Sequence, residues 1–141
     1  MFSKNHVRYF FILLLLLSTS VHGGDIQLAC TGHISVVKGL EDKVGTPVVR
    51  SVSISADMSE AGVTPMGGHF LSADKAGSTK YTRIFSVTDE AYKFVKDNKE
   101  IGDLYIFHVN RITHQFSSLI TWSDGATIEE IGICERVQGL L

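Results

Sequence analysis

The stretch LYIFHVNRITHQFSSLITW, Leu104–Trp122, contains two runs of alternating apolar and polar residues separated by a polar turn. A period of two is typical of a β-strand with one buried face, because successive side chains point to opposite sides. If the apolar faces of the two strands lie on the same side of the sheet, Val109 pairs with Phe116 across a short turn. The same register opposes Tyr105 to Ile120, so the sequence predicts an antiparallel hairpin here.

The two histidines of this stretch raise the question of a metal site. In the predicted register His108 faces Ser117 on the polar side, whereas His114 lies in the turn. Two ligands of one metal must converge on one face, and these two do not. We therefore expect no metal and no other cofactor at this position.

Arg111 ends the first strand on its apolar face, immediately before the turn. There a guanidinium can bond carbonyl groups of the loop, with Asn110 and Thr113 helping to close the turn. This pattern favours a structural clamp. Capture of an anion by Arg111 is the alternative, and the sequence leaves it open.

Alternation continues through much of the remaining chain. It predicts strands in Ile26–Val36, with both of these residues inward, and also in Val48–Asp57, Tyr81–Val87 and Thr127–Val137. Residues 88–98 fit either a helix or a strand, and we favour a strand. The Gly-rich segment Met58–Gly77 lacks periodicity and is therefore predicted to form a long loop. The predicted fold is an all-β antiparallel meander forming a small sandwich or barrel.

Two cysteines, Cys30 and Cys134, lie near the ends of this β-rich region. Neither has a neighbouring Cys or His at metal-ligand spacing, and they do not form a Cys-x-x-Cys redox pair. In an oxidising compartment a lone pair of this kind indicates one structural disulfide. The first and last strands should then lie next to each other or face each other across the core.

The N-terminus has the layout of a secretory signal peptide. Lys4 and Arg8 precede an uninterrupted apolar run, Tyr9–Leu17, which is too short to span a membrane. We expect cleavage after Gly23, or alternatively after Ser20. The prediction is a signal peptide over residues 1–23 and a single β-rich domain over 24–141, periplasmic or secreted, with no transmembrane segment once the signal is cleaved.

Charge excludes one class of partner. Removing Lys4 and Arg8 from the 13 basic residues leaves 11 against 15 acidic residues, a net charge near −4. No basic cluster interleaved with aromatic residues remains, so the sequence lacks the positively charged surface that nucleic-acid binding requires. An envelope or extracellular protein remains a possible partner, and the oligomeric state stays open.

No catalytic motif occurs in the chain. His69 follows Gly67-Gly68 in the Gly-rich segment and is the most accessible candidate for binding, together with Arg111. Catalytic residues are unknown, and the protein is expected not to be an enzyme. A hydrolase or metal-dependent enzyme using His69 or His108 is the alternative.

Three short motifs occur together: Cys30-Thr31-Gly32, Asn110-Arg111-Ile112-Thr113 and Gly132-Ile133-Cys134. This layout resembles small exported proteins of Gram-negative bacteria whose function is uncharacterised. In those proteins Gly usually follows the Thr, and here His114 stands in its place. The resemblance implies export, the disulfide and a β-rich fold, but no activity.

The sequence thus favours a binding or accessory module of the cell envelope, with an inhibitor-like scaffold as one version and Met58–Gly77 as its contact surface. A structural subunit of a surface assembly is a third hypothesis.

Overall fold

The computed structural model describes residues 25–77 and 82–137, and the predicted signal peptide lies outside these residues. Nine β-strands close into a barrel, with one short helix, α1, and a 3₁₀ turn at Glu41–Lys43. The strands are β1 Ile26–Lys38, β2 Pro47–Ile54, β3 Glu60–Thr64, β4 Gly68–Ser72, β5 Arg83–Val87, β6 Ala91–Asn98, β7 Asp103–Asn110, β8 Gln115–Thr121 and β9 Thr127–Arg136.

Each strand pairs with the next one along the chain, and β1 pairs with β9 to close the ring. The predicted all-β meander is confirmed as a barrel. One junction differs from the prediction, because β4 and β5 run parallel, with helix α1 (Ala73–Ala76) between them in the chain. Parallel neighbours need a connection that returns the chain to the starting end of the first strand.

The predicted hairpin Leu104–Trp122 is confirmed as β7 and β8. Val109 pairs with Phe116, and Tyr105 pairs with Ile120. The expected strand within residues 88–98 is also confirmed as β6. Three strands therefore follow one another through short turns, as the alternation of apolar residues requires.

The prediction of a long loop over Met58–Gly77 is wrong, because the segment forms the hairpin β3–β4 followed by α1. The strands are short, and small residues dilute their alternation. Gly67 occupies a position where a Cβ would approach the Val63 Cβ to 2.6 Å, so the glycine is needed for close packing. Phe70 is completely buried, which fixes the hairpin on the core.

The prediction that Val36 faces inward is wrong as well. A register shift in β1 pairs Ile34 with Glu130 but Val36 with Glu129, which leaves Ser35 as a bulge. One extra residue moves all following side chains to the other face, so Val36 is 53% exposed.

Aromatic rings fill the interior beside β4 to β8. Phe94 lies at the centre, with ring centroids 5.1 Å from Phe85, 5.4 Å from Phe70 and 5.9 Å from Phe107. Phe107 in turn stacks on Phe116 at 5.3 Å. All five rings are at most 2% exposed, so this cluster forms the aromatic part of the apolar core.

The pairing of β1 with β9 brings the two cysteines together. Cys30 and Cys134 are direct partners in the register and form the predicted disulfide inside the barrel. Two pairs further along, Gly32 lies opposite Gly132. A Cβ on Gly132 would lie 2.5 Å from a ring carbon of Phe116, so the absent side chain makes room for that ring.

Candidate functional site

One end of the barrel opens into a cavity of about 280 Å³, which we call the wide mouth. Its inner wall is apolar, and its rim carries basic side chains. The lining residues are Ile26, Leu28, Tyr92, Val109, Asn110, Arg111, His114, Cys134 and Arg136. Barrel mouths of this kind are common positions for small-molecule sites.

Arg111 is held at the rim by contacts with β6 and with the turn that precedes β6. Its Cζ lies 4.8 Å from the ring centroid of Tyr92, and its Nη1 donates a 2.6 Å hydrogen bond to the Thr88 carbonyl. The predicted clamp therefore reaches the neighbouring turn between β5 and β6, not its own turn. The Arg111 amide donates to the Glu90 carbonyl at 2.7 Å, which ties the same two turns together.

The turn itself is closed by Asn110, whose Oδ1 accepts hydrogen bonds from the amides of Ile112 and Thr113 at 2.8 and 2.9 Å. His114 ends the turn with φ of +63°, a left-handed conformation that histidine adopts more often than most residues other than glycine. The His114 carbonyl accepts from the Cys134 amide at 2.8 Å. These bonds fix the position of His114 beside β9.

Arg136 lies at the end of β9, opposite Leu28, and its side chain is exposed at the rim. None of the described residues that line the wide mouth is acidic. Among the described residues, the ion pairs involve neither Arg111 nor Arg136. The mouth therefore combines an apolar wall with a cationic rim, a pairing of properties suited to an anion that carries an apolar part.

The interior also holds a buried ion pair that the sequence reasoning missed. Arg50 donates through Nη2 to Glu130 Oε2 at 2.5 Å and through Nε to Oε1 at 3.3 Å. The Ser118 hydroxyl donates to the same Oε1 at 2.6 Å. Both carboxylate oxygens thus accept hydrogen bonds, which offsets part of the cost of burying the two charges.

The signal for this pair was present in the sequence. Arg50 lies at the inward position between Val48 and Val52, and Glu130 lies between the inward positions of Ile128 and Gly132. Opposite charges at inward positions of two strands predict an ion pair only when the strands are known to lie close together. That knowledge comes from the barrel closure.

The outer wall carries His33 and His108 along one shallow groove of about 460 Å³. His33, Ile131, Ser117 and His108 follow one another across four paired strands. The opposition of His108 and Ser117 confirms the predicted register. Three strand spacings separate the histidines by about 14 Å, too far for one metal ion.

His69 lies on the outer face of β4, opposite Gly62, and is exposed. Nearby, Lys75 donates a hydrogen bond to Glu60. That hydrogen bond and the charge of Lys75 lower the pKa of Glu60, with a smaller contribution from His69. His69 is near the start of β4, whereas Arg111 follows the end of β7, which runs parallel to β4. The two predicted binding residues therefore lie at opposite ends of the barrel.

Within residues 25–77 and 82–137, no group of three or more His, Cys, Asp or Glu residues is arranged to hold a metal ion. Within the same ranges, no helix has the length and apolar character needed to cross a membrane.

No protein-family model matches the chain, and comparisons with curated proteins and with solved structures give no match.

Proposed function

We propose that this protein is an exported binding module of the bacterial cell envelope and that the wide mouth is its ligand site. The ligand is a small anion with an apolar portion, such as a carboxylate on a short hydrocarbon chain. One observation supports the proposal most directly. Arg111, His114 and Arg136 line a cavity with an apolar inner wall, and its described lining residues include no acidic side chain. Charged hydrogen bonds would orient the anion, while the apolar wall would cover its hydrocarbon part.

Export is supported by the signal-like N-terminus and is compatible with the disulfide, since such bonds persist in oxidising compartments. The mouth replaces Met58–Gly77 as the proposed contact surface, because that segment forms a packed hairpin and a helix. A β-barrel scaffold supports such a site well, because the strands that position the rim are fixed by continuous hydrogen bonding.

The test uses a matched pair of probes, octanoate and 1-octanol, titrated into the purified mature protein by calorimetry. Both have the same hydrocarbon chain, and only octanoate is charged. We expect octanoate to bind about tenfold more tightly than the alcohol, the effect of one charged hydrogen bond.

The matched variants are Arg136→Ala and Lys93→Ala. Arg136 is the better rim residue to remove, because Arg111 also anchors the turn. We expect Arg136→Ala to weaken octanoate binding about tenfold. Lys93→Ala removes an exposed cation of β6 on the outer wall and should leave binding unchanged.

The proposal is wrong if octanoate does not bind at millimolar concentration. It is also wrong if the acid and the alcohol bind equally, or if both variants behave like the wild type.

A further inference from the structure

The other end of the barrel carries a row of hydrogen-bond donors that the wide mouth does not use. In the strand register, Lys96 on β6 lies opposite Arg83 on β5 on one side and opposite Tyr105 on β7 on the other. These residues share the inward face with Phe85 and Phe107, which lie two positions further along their strands. A guanidinium, an amino group and a phenol hydroxyl thus lie side by side on the interior wall.

Two of these donors are buried without a partner. Within the described part of the chain, Arg83 Nε and the Tyr105 hydroxyl have no hydrogen-bond partner. The Tyr105 residue is only 4% exposed. A buried polar atom without a partner destabilises a protein, so native structures contain few of them. Two such atoms on the strands that flank β6, with only Lys96 between them in the register, require an explanation.

A cavity of about 80 Å³ lies at this end, and we call it the narrow mouth. Tyr105 and Lys96 line it, together with Met66, Asp103 and Trp122. Arg83 lies beside the same turn as Met66, since a Cβ on Gly68 would be 3.6 Å from Arg83 Nε.

The charged residues among the described lining of the narrow mouth are Lys96 and Asp103, and Arg83 lies just outside this lining. The Asp103 carboxylate already accepts a 3.1 Å hydrogen bond from the Ser123 amide. Burial raises the pKa of the Tyr105 hydroxyl, so that group remains a donor at neutral pH.

We infer that the narrow mouth is a second ligand site, which binds a small oxyanion through the Tyr105 hydroxyl and Lys96, with Arg83 beside the site. The volume sets the size of the ligand, because a single water molecule occupies about 30 Å³ of liquid. The narrow mouth is large enough for an ion of the size of phosphate or a short carboxylate. The narrow mouth is too small to enclose the longer anion proposed for the wide mouth, so the two ends would bind different ligands.

The experiment titrates the mature protein with inorganic phosphate, with acetate and with neutral acetamide, using calorimetry. Acetamide matches acetate in shape and lacks its charge. We expect acetamide not to bind and one of the two anions to bind, and the tighter one identifies the chemical source of the oxyanion.

The variants are Tyr105→Phe, Lys96→Met and Arg136→Ala. Tyr105→Phe removes only the hydroxyl and should fold at least as well as the wild type, since it deletes a buried group without a partner. We expect Tyr105→Phe and Lys96→Met each to weaken anion binding about tenfold. Arg136→Ala, at the far end, should leave it unchanged.

The inference is overturned if neither anion binds at millimolar concentration, if acetamide binds as tightly as acetate, or if Arg136→Ala weakens binding as much as Lys96→Met does. Wild-type binding by both Tyr105→Phe and Lys96→Met would also overturn it. Octanoate binding by Tyr105→Phe separates the two proposals, because the wide mouth should be unaffected by this change even if the narrow mouth binds nothing.

Discussion

Two regions of the barrel are held together by different physical means. In the hairpin run, β5 to β8, each strand pairs with its neighbour in sequence, and the interior is aromatic. In the closing seam, formed by β1, β2 and β9, the pairing of β1 with β9 joins residues about 100 positions apart, as in the disulfide between Cys30 and Cys134. The seam also holds the buried pair of Arg50 and Glu130.

The difference follows from chain entropy. Bringing distant segments together costs more than closing a short turn, because a longer loop loses more conformations. The hairpin run needs only apolar burial to offset its small closure cost. The seam combines burial with a covalent bond and an ion pair, both of which join β9 to strands at the start of the chain. Local strands are stabilised by packing, whereas the distant strands also carry specific cross-links, of which the disulfide is expected to contribute most of the stability.

The largest expected effect comes from removing the covalent link of the seam. The disulfide spans a sequence separation of 104 residues. In the chain-entropy description a loop of this length contributes about 4.7 kcal/mol, and we expect the Cys30→Ser/Cys134→Ser variant to lose roughly that amount. Guanidinium unfolding of this variant and of the wild type measures the difference. Equal midpoints would contradict the role given to the disulfide in the seam.

Removing one partner of the buried ion pair should cause the second-largest loss in the free energy of unfolding. Glu130→Ala leaves Arg50 buried without a counter-charge, and we expect the free energy of unfolding to fall by about 3–4 kcal/mol. The double variant Arg50→Met/Glu130→Leu removes both charges and should recover most of this loss. Urea unfolding of the three proteins tests the prediction. A double variant less stable than Glu130→Ala would show that the pair stabilises the seam beyond mutual neutralisation.

A conservative change in the hairpin run should reduce the free energy of unfolding by less than the loss of Glu130 does. Phe94→Leu keeps an apolar side chain at the centre of the aromatic cluster but leaves a small cavity, and we expect a loss of about 1–2 kcal/mol. The same urea experiment provides the value. A loss as large as that of Glu130→Ala would remove the distinction between the two regions.

The smallest effect is expected in the exposed turn between β2 and β3, which belongs to neither region. Hydrogen bonds from the Ser59 and Ser55 hydroxyls to Asp57 lower its pKa from 3.8 to about 2. Because the folded-state pKa is depressed, Asp57 stabilises the folded protein above pH 3.8, and this contribution is lost as the pH falls toward 2.

Asp57→Asn should therefore reduce the change in melting temperature between pH 4 and pH 2. Thermal unfolding at several pH values checks this. A variant with the same pH profile as the wild type would mean that the turn hydrogen bonds do not distinguish folded from unfolded protein.

Prediction from sequence succeeded where a pattern was complete within one segment. The register of β7 and β8 could be obtained from apolar parity alone, because only one alignment buries Phe116 and Val109 together. It failed for β3 and β4, where glycines interrupt the alternation, and for Val36, because a bulge leaves no mark in the sequence. The candidate site was predicted only in part: Arg111 was identified, whereas its companions at the rim were not.

By itself the sequence determined the all-β class, the disulfide and the hairpin beside Arg111, because period-two alternation and a lone cysteine pair are readable locally. Only the tertiary structure decided the parallel contact of β4 with β5, the union of Arg50 with Glu130, and the grouping of Arg111 with Arg136. Each of these contacts joins residues from separate segments of the chain. Their proximity depends on how the ring of strands closes, and this closure is a property of all nine strands together.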